Sequence, residues 1–323
     1  MELDITIHKG RTDRPVVILI HGLSMDKNIW IKPLETTMFA KNVPIKIFAA
    51  RRPRPCLIQN KKKFTIGDIP EKVDSIWAAL QIKGYNLVCW SQKRPVGPIS
   101  VAVEELKQVM EITRKAFPGK PAALIGHSRG GLIARKLMER KIPEVKALIT
   151  ISTPHHGSSL ALLGKYLKPL SSVIKAVMPA NIQSSVSEVL KRFNELIEDH
   201  ATKELLPGSD FLKNLKDAPD DGIRYLSFGG TKTRLLTVYK WEARDKDIYP
   251  RPFLAIPDSL IKAFPAALLP EEISPGKGDI MVSAKSSVLP WAERHCHVPA
   301  NHVSILWHKE TIANTVEILE AIY

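Results

Sequence analysis

Cysteine is scarce: Cys56, Cys89 and Cys296 are the only three in 323 residues. They are too few and too scattered for a disulfide framework, and no Cys-x-x-Cys or Cys/His spacing suggests zinc. The fold must therefore rest on a packed core, which a chain of this length can supply as one large α/β domain or two small ones. Long apolar runs are also missing, so no segment has the length a bilayer span needs. The opening MELDITIHKG alternates like a strand and lacks the basic-then-apolar layout of a secretory leader. A cytoplasmic location is the expectation, with peripheral membrane contact left open. Acidic residues are the rarer charge: 33 Asp+Glu stand against 47 Lys+Arg, a formal charge of +14. Such an excess attracts nucleic acid and anionic lipid alike. The densest basic runs, RRPRP (Arg51 to Pro55) and KKK (Lys61 to Lys63), share one Pro-rich segment with no interleaved aromatics and no nucleic-acid module. They read as solvated loop charge, and nucleic acid is not an expected partner.

What is present is alternation. Strand-like runs fall at 3–8, 15–22, 44–50, 86–91, 121–128, 145–152 and 223–230, with a shorter candidate at 294–298. Helical patterns lie between many of them, notably at 99–117, 130–141 and 308–322. This rhythm predicts an α/β fold, a mostly parallel sheet flanked by helices. One stretch breaks it. From Ser158 to about residue 222 no strand is convincing and the segment reads as helices, with Val186, Val189, Leu190, Phe193, Leu196 and Ile197 at helical spacing. The expected organisation is a single domain over 1–323, with a helical lid or cap inserted at 158–222 and a candidate second insertion at 240–270.

The stretch IGHSRGG (Ile125 to Gly131) places a serine between glycines, directly after the apolar run PAALI and before the helical GLIARKLMER. This is the G-x-S-x-G nucleophile elbow, whose small residues let the backbone turn sharply and expose the serine oxygen at the top of the sheet. Ser128 is thus a candidate nucleophile. In an open α/β sheet, functional groups gather at the carboxyl ends of strands. There, His21-Gly22-Leu23 closes VVILIHG, and the N–H groups of Leu23 and Arg129 are candidate oxyanion donors. His155 and His156, in STPHHGS, fall too soon after the serine for the chain order nucleophile, acid, histidine, and a structural role is expected of them. Asp279, in GKGDIMVSAKSS, is the favoured acid over Glu271, Glu272, Asp258 and Asp247. His302, in PANHVSILWH, follows a Pro/Asn turn and precedes the last helix, where a loop-borne base belongs; His295, His297 and His308 are the alternatives.

The stretches HGL, GHSRGG, STPHHGS, GKGDIMVSAKSS and NHVSILWH, in this order, resemble the lipase branch of the α/β-hydrolase superfamily, close to bacterial triacylglycerol lipases and related phospholipases. PGSDFLKNL (Pro207 to Leu215) is similar to a segment ending the lid region in such enzymes. The resemblance covers nearly the whole chain, although 30–85 and 240–270 match nothing that can be named. It implies acyl transfer to a lipid or ester substrate by Ser128, His302 and Asp279, with no organic cofactor. The chain departs from the family pattern in three places. The leader of the secreted members is absent. Ile280-Met281 stand between Asp279 and the usual valine. Ser304 stands two residues after His302, where many members carry a calcium-binding aspartate, so no metal is expected.

The insertion speaks to substrate. Between Ser158 and Ser187 it carries Lys165, Lys168 and Lys175 among many leucines and no acidic residue. That composition suits docking on an anionic lipid surface as well as it suits a cap packed over a pocket. The leading expectation is a lipolytic carboxylic-ester hydrolase, a phospholipase A or triacylglycerol lipase. A small-ester esterase, an acyltransferase and a silent hydrolase-fold binding protein are the alternatives, and nothing in the sequence fixes the oligomeric state.

Overall fold

The structure is a computed structural model that describes residues 2–38, 43–48, 64–67, 72–159, 183–184, 187–188, 191–192, 195–196, 200–216, 218–244, 247–261 and 269–323. The described strands are β1 (Asp4–His8), β2 (Val16–Ile20), β3 (Thr37–Met38), β4 (Val43–Pro44), β5 (Phe64–Gly67), β6 (Asn86–Ser91), β7 (Ala122–His127), β8 (Val145–Ile151), β9 (Arg224–Gly230), β10 (Leu236–Arg244), β11 (Asp247–Ile256) and β12 (Arg294–Val298). Seven of them form the main sheet in the order β1-β6-β2-β7-β8-β9-β12. Only the β1–β6 pair in it is antiparallel.

The central strands carry unbroken apolar runs because helices cover both faces of a parallel sheet. In β2 all five residues are buried, and they alternate between two cores. Val17 and Leu19 face one layer with Ile76 and Leu80 of the helix Ile76–Ile82 and Leu319 of the final helix Lys309–Ile322. Val16, Ile18 and Ile20 face the other, with Leu106 and Val109 of the helix Ile99–Ala116 and Leu132, Ile133 and Leu137 of the helix Arg129–Met138. Each helix spends its apolar stripe on the sheet, giving three layers with the site at one end of the middle one.

Two features differ from the sequence-based expectation. Of the expected strand at 44–50, the described residues 44–48 are not in the main sheet: β4 is a two-residue pairing with β3, and Ile45–Phe48 turn into a 3-10 helix, while 49–50 lie outside the described residues. In the sheet order β6 and β2 already have partners on both sides, which leaves no slot for a strand between or beside them. Ile45 is buried all the same. The second feature is an additional antiparallel sheet, β11-β10-β5, whose Leu236, Val238, Ile256 and Ile66 join the first core layer. Within the insertion, residues 160–182, including Lys165, Lys168 and Lys175, lie outside the described residues. The described residues 183–184, 187–188, 191–192 and 195–196 are helical, with Arg192 paired to Glu188 and Glu195 and Leu196 buried in the second core.

Candidate active site

Strand β7 ends at His127 and the next helix begins at Arg129, so Ser128 alone makes the turn. It does so at φ 54°, ψ −128°, a left-handed conformation that costs a serine on the order of 1–3 kcal/mol. Close packing holds it there. A Cβ on Gly126 would lie 2.5 Å from the Gly131 backbone, and one on Gly130 would lie 2.4 Å from the carbonyl oxygen of Ile20, so only glycine lets strand, turn and helix approach this closely. The strain appears again around the same end of the sheet, at Ser24 (φ 61°), Ser152 (φ 49°) and Ile280 (φ 92°).

Ser128, His302 and Asp279, separated by up to 174 positions in sequence, meet at the elbow. With its proton on Nδ1, the imidazole of His302 donates to Asp279 Oδ2 at 3.0 Å, which leaves Nε2 to accept from Ser128 Oγ at 2.9 Å. All three side chains are buried. The acid is fixed by its own loop: its Oδ1 accepts from the N–H groups of Met281 at 3.0 Å and Val282 at 2.8 Å, and its carbonyl accepts from His302 N at 3.0 Å. The competing acids are elsewhere. Asp258 accepts from Thr233 Oγ1, Glu272 is buried against the Ser159 N–H, Glu271 is exposed, and Asp247 begins β11 in the second sheet. The competing histidines are likewise occupied or displaced. His155 is held between Arg135 (3.2 Å) and Thr150 (3.0 Å), and burial pushes its pKa well below the ordinary value, with Arg135 adding to the shift. His156 is exposed, His295 bonds Ser227 and stacks edge-on with exposed His297, and His308 precedes the final helix.

The loop after β2 lies against the nucleophile: a Cβ on Gly22 would come within 2.9 Å of Ser128 Cβ. Leu23, the next residue, is buried. Its N–H has no hydrogen-bond partner among the described residues. His21 shapes this loop. Its Nε2 accepts from Gln92 N at 3.0 Å and its Nδ1–H donates to the carbonyl of Gly22 at 2.9 Å; burial pushes its pKa down to about 4, so the ring is neutral. The arrangement offers a base-linked hydroxyl beside a loop of backbone N–H groups, the requirements for acyl transfer through an oxyanion.

Comparison with known proteins agrees with this architecture. The family described as serine aminopeptidase, S33, matches residues 91–212, less than half of the chain but including the elbow. No curated protein matches it in sequence. Among solved structures, the mature form of Bacillus licheniformis lipase BlEst2 superimposes with a TM-score of 0.55 at 14% identity, over 98% of this chain and 97% of that one. Its propeptide form gives 0.53 at 16%, over 98% of this chain and 53% of that one.

The chain is an α/β-hydrolase by fold. Within this hydrolase fold, sequence reasoning missed Gln92, which lies one residue past β6 and bonds both His21 and Arg129. Its only signal was position at a strand's carboxyl end. Ser304, noted for the missing aspartate, instead closes the turn that carries His302: its Oγ accepts from Asn301 N at 3.0 Å, and Asn301 Oδ1 accepts from Ser304 N at 2.8 Å. Among the described residues no group of three or more His, Cys, Asp or Glu is placed to hold a metal ion, and no helix is long and apolar enough to cross a membrane.

Proposed function

We propose that this hydrolase-fold chain cleaves carboxylic esters through a serine acyl-enzyme, and that its substrates are glycerolipids, as for a phospholipase A or triacylglycerol lipase. The observation that carries the chemistry is the unbroken relay from Ser128 Oγ through His302 to Asp279 on a strained turn. Ser128 Oγ attacks the ester carbonyl as His302 Nε2 takes its proton, and Asp279 stabilises the resulting imidazolium. The N–H groups of Leu23 and Arg129 bind the oxyanion. Collapse expels the alcohol, which receives the proton from His302. Water then enters by the same route and releases the fatty acid.

The lipid reading is supported by the leucine-rich, lysine-bearing, acid-free segment from Ser158 to Ser187 and by the resemblance to lipases in the motifs. Both BlEst2 structures are named as a lipase, and at their identity they speak to fold. A small-ester esterase or acyltransferase is the second reading, because the triad itself does not select a leaving group. Phospholipid vesicles, triacylglycerol emulsions and p-nitrophenyl esters, offered in parallel, decide between them. Ser128→Ala should leave a folded protein whose ester turnover falls at least about 10³-fold. A variant keeping a tenth of wild-type activity would remove the nucleophile from the scheme. Turnover confined to soluble esters would favour the esterase reading.

A further inference from the structure

His127 and Arg129, the residues on either side of Ser128, are fully buried, and their side chains perform no step of the chemistry above. They leave the elbow in different directions. His127 Nε2–H donates to the carbonyl oxygen of His302 at 2.8 Å, and the two rings lie 4.9 Å apart between centroids. Its other face touches the first loop, since a Cβ on Gly22 would come within 2.9 Å of His127 Nδ1. Burial, with the neighbouring His302 second, holds the His127 pKa well below its ordinary value. The ring therefore stays neutral and its Nε2–H donates without placing a competing cation beside the base.

Arg129 reaches the opposite loop. Its guanidinium donates to Gln92 Oε1 at 2.9 Å, to the carbonyl of Pro95 at 3.2 Å and to that of Gly97. Those partners in turn grip the loop that carries Leu23. Gln92 Nε2 donates to the carbonyl of His21 at 3.0 Å, Gln92 N to His21 Nε2, and the Pro95 carbonyl also accepts from Ser24 N at 2.9 Å. One chain of hydrogen bonds thus runs from the residue supplying one oxyanion donor to the loop supplying the other. A guanidinium out of water needs several fixed acceptors, and here those acceptors set a distance.

We propose that the two residues flanking the nucleophile are positioning residues with separate duties: His127 sets the base loop through the His302 carbonyl, and Arg129, through Gln92 and Pro95, sets the spacing of the two oxyanion donors. This rests on Ser128 being the nucleophile. Misplacing such groups by about an ångström costs on the order of a hundredfold in rate, so each half should have its own kinetic signature.

The test uses the full chain and a soluble p-nitrophenyl ester, with a boronic acid as a tetrahedral mimic. His127→Leu should lower kcat roughly 10- to 100-fold at nearly unchanged KM and move the acid limb of the kcat/KM profile, which reports the base. His127→Gln, whose amide N–H can reach the same carbonyl, should restore most of the loss. Gln92→Glu keeps an acceptor for Arg129 and the backbone N–H bond to His21 Nε2, so it should fold, but its side chain cannot donate to the His21 carbonyl. It should weaken boronate binding about tenfold relative to KM while leaving the acid limb in place, and Arg129→Met should do the same where it folds. Equal behaviour of the Leu and Gln variants at 127 overturns the base half. Parallel changes in KM and boronate affinity for Gln92→Glu overturn the oxyanion half. If Ser128→Ala retains turnover, the nucleophile reading itself fails, a result these variants cannot mimic.

Discussion

At the scale of single residues, rank order of damage separates chemistry from packing. His302→Ala removes the proton acceptor and should reduce turnover as severely as loss of Ser128. Asp279→Asn keeps a side chain that can bond the Met281 and Val282 N–H groups, so more activity should survive, because the acid orients and stabilises rather than reacts. Steady-state kinetics on one soluble ester give both numbers, and abolition by His155→Ala or His297→Ala with His302→Ala active would reverse the assignment. Gly130→Ala tests the scaffold. The residue is the second of its helix and has no positive φ, so strain is not the issue; the new Cβ would lie 2.4 Å from the Ile20 carbonyl oxygen, backbone that cannot swing aside. Overpacking of this kind costs about 1–3 kcal/mol, and a thermal melt should show a Tm lowered by several degrees.

At the scale of elements, two loops make distinct predictions. The turn at Asn301–Ser304 braces itself: besides its bonds to Ser304, Asn301 donates from Nδ2 to the Arg234 carbonyl at 2.8 Å. With Ser304 in place of a carboxylate, a chelator should change neither Tm nor turnover, whereas Asn301→Ala should lower kcat by freeing the loop that holds His302. Loss on chelation, restored by calcium alone, would show a site built from other residues. The insertion is tested through its lysines. Changing Lys165, Lys168 and Lys175 together to glutamate should weaken binding to anionic vesicles, by roughly 1 kcal/mol for each lysine that nears the surface, and spare a soluble ester. Equal loss on both substrates would mark a packed cap.

For the whole molecule, buried histidines set the acid limit. His21 has its pKa pushed down to about 4 by burial, and His127 and His155 are held well below the ordinary value for the same leading reason. The unfolded chain takes up these protons near pH 6.5 and the folded chain does not. Stability should therefore be insensitive to these groups above pH 6.5 and fall progressively from there towards pH 4, by about 1.4 kcal/mol per pH unit for each proton taken up only on unfolding. Urea titrations at stepped pH measure the slope. A flat profile across that window would mean that these rings are hydrated in the fold.

How much of this was legible in the sequence follows from how local each cause is. The central strands, the elbow and the order Ser128, Asp279, His302 could be read because each is written in neighbouring residues: unbroken apolar runs, glycines around a serine, a polar residue after a strand. The sequence by itself therefore determined the α/β class, the turn and the candidate triad. Where causes were distant it failed. PIKIFAA looks like a strand, but strandhood needs a free neighbour, and the central strands β6 and β2 had none to offer. β10 and β11 gave no clear pattern because β11 carries Pro250 and Pro252 and their sheet is completed by β5, far earlier in the chain. Only the tertiary structure decided that Asp279 rather than Glu272 meets His302, and that His127 and Gln92 belong to the site, since hydrogen bonds spanning 23 to 175 positions leave no periodicity to read.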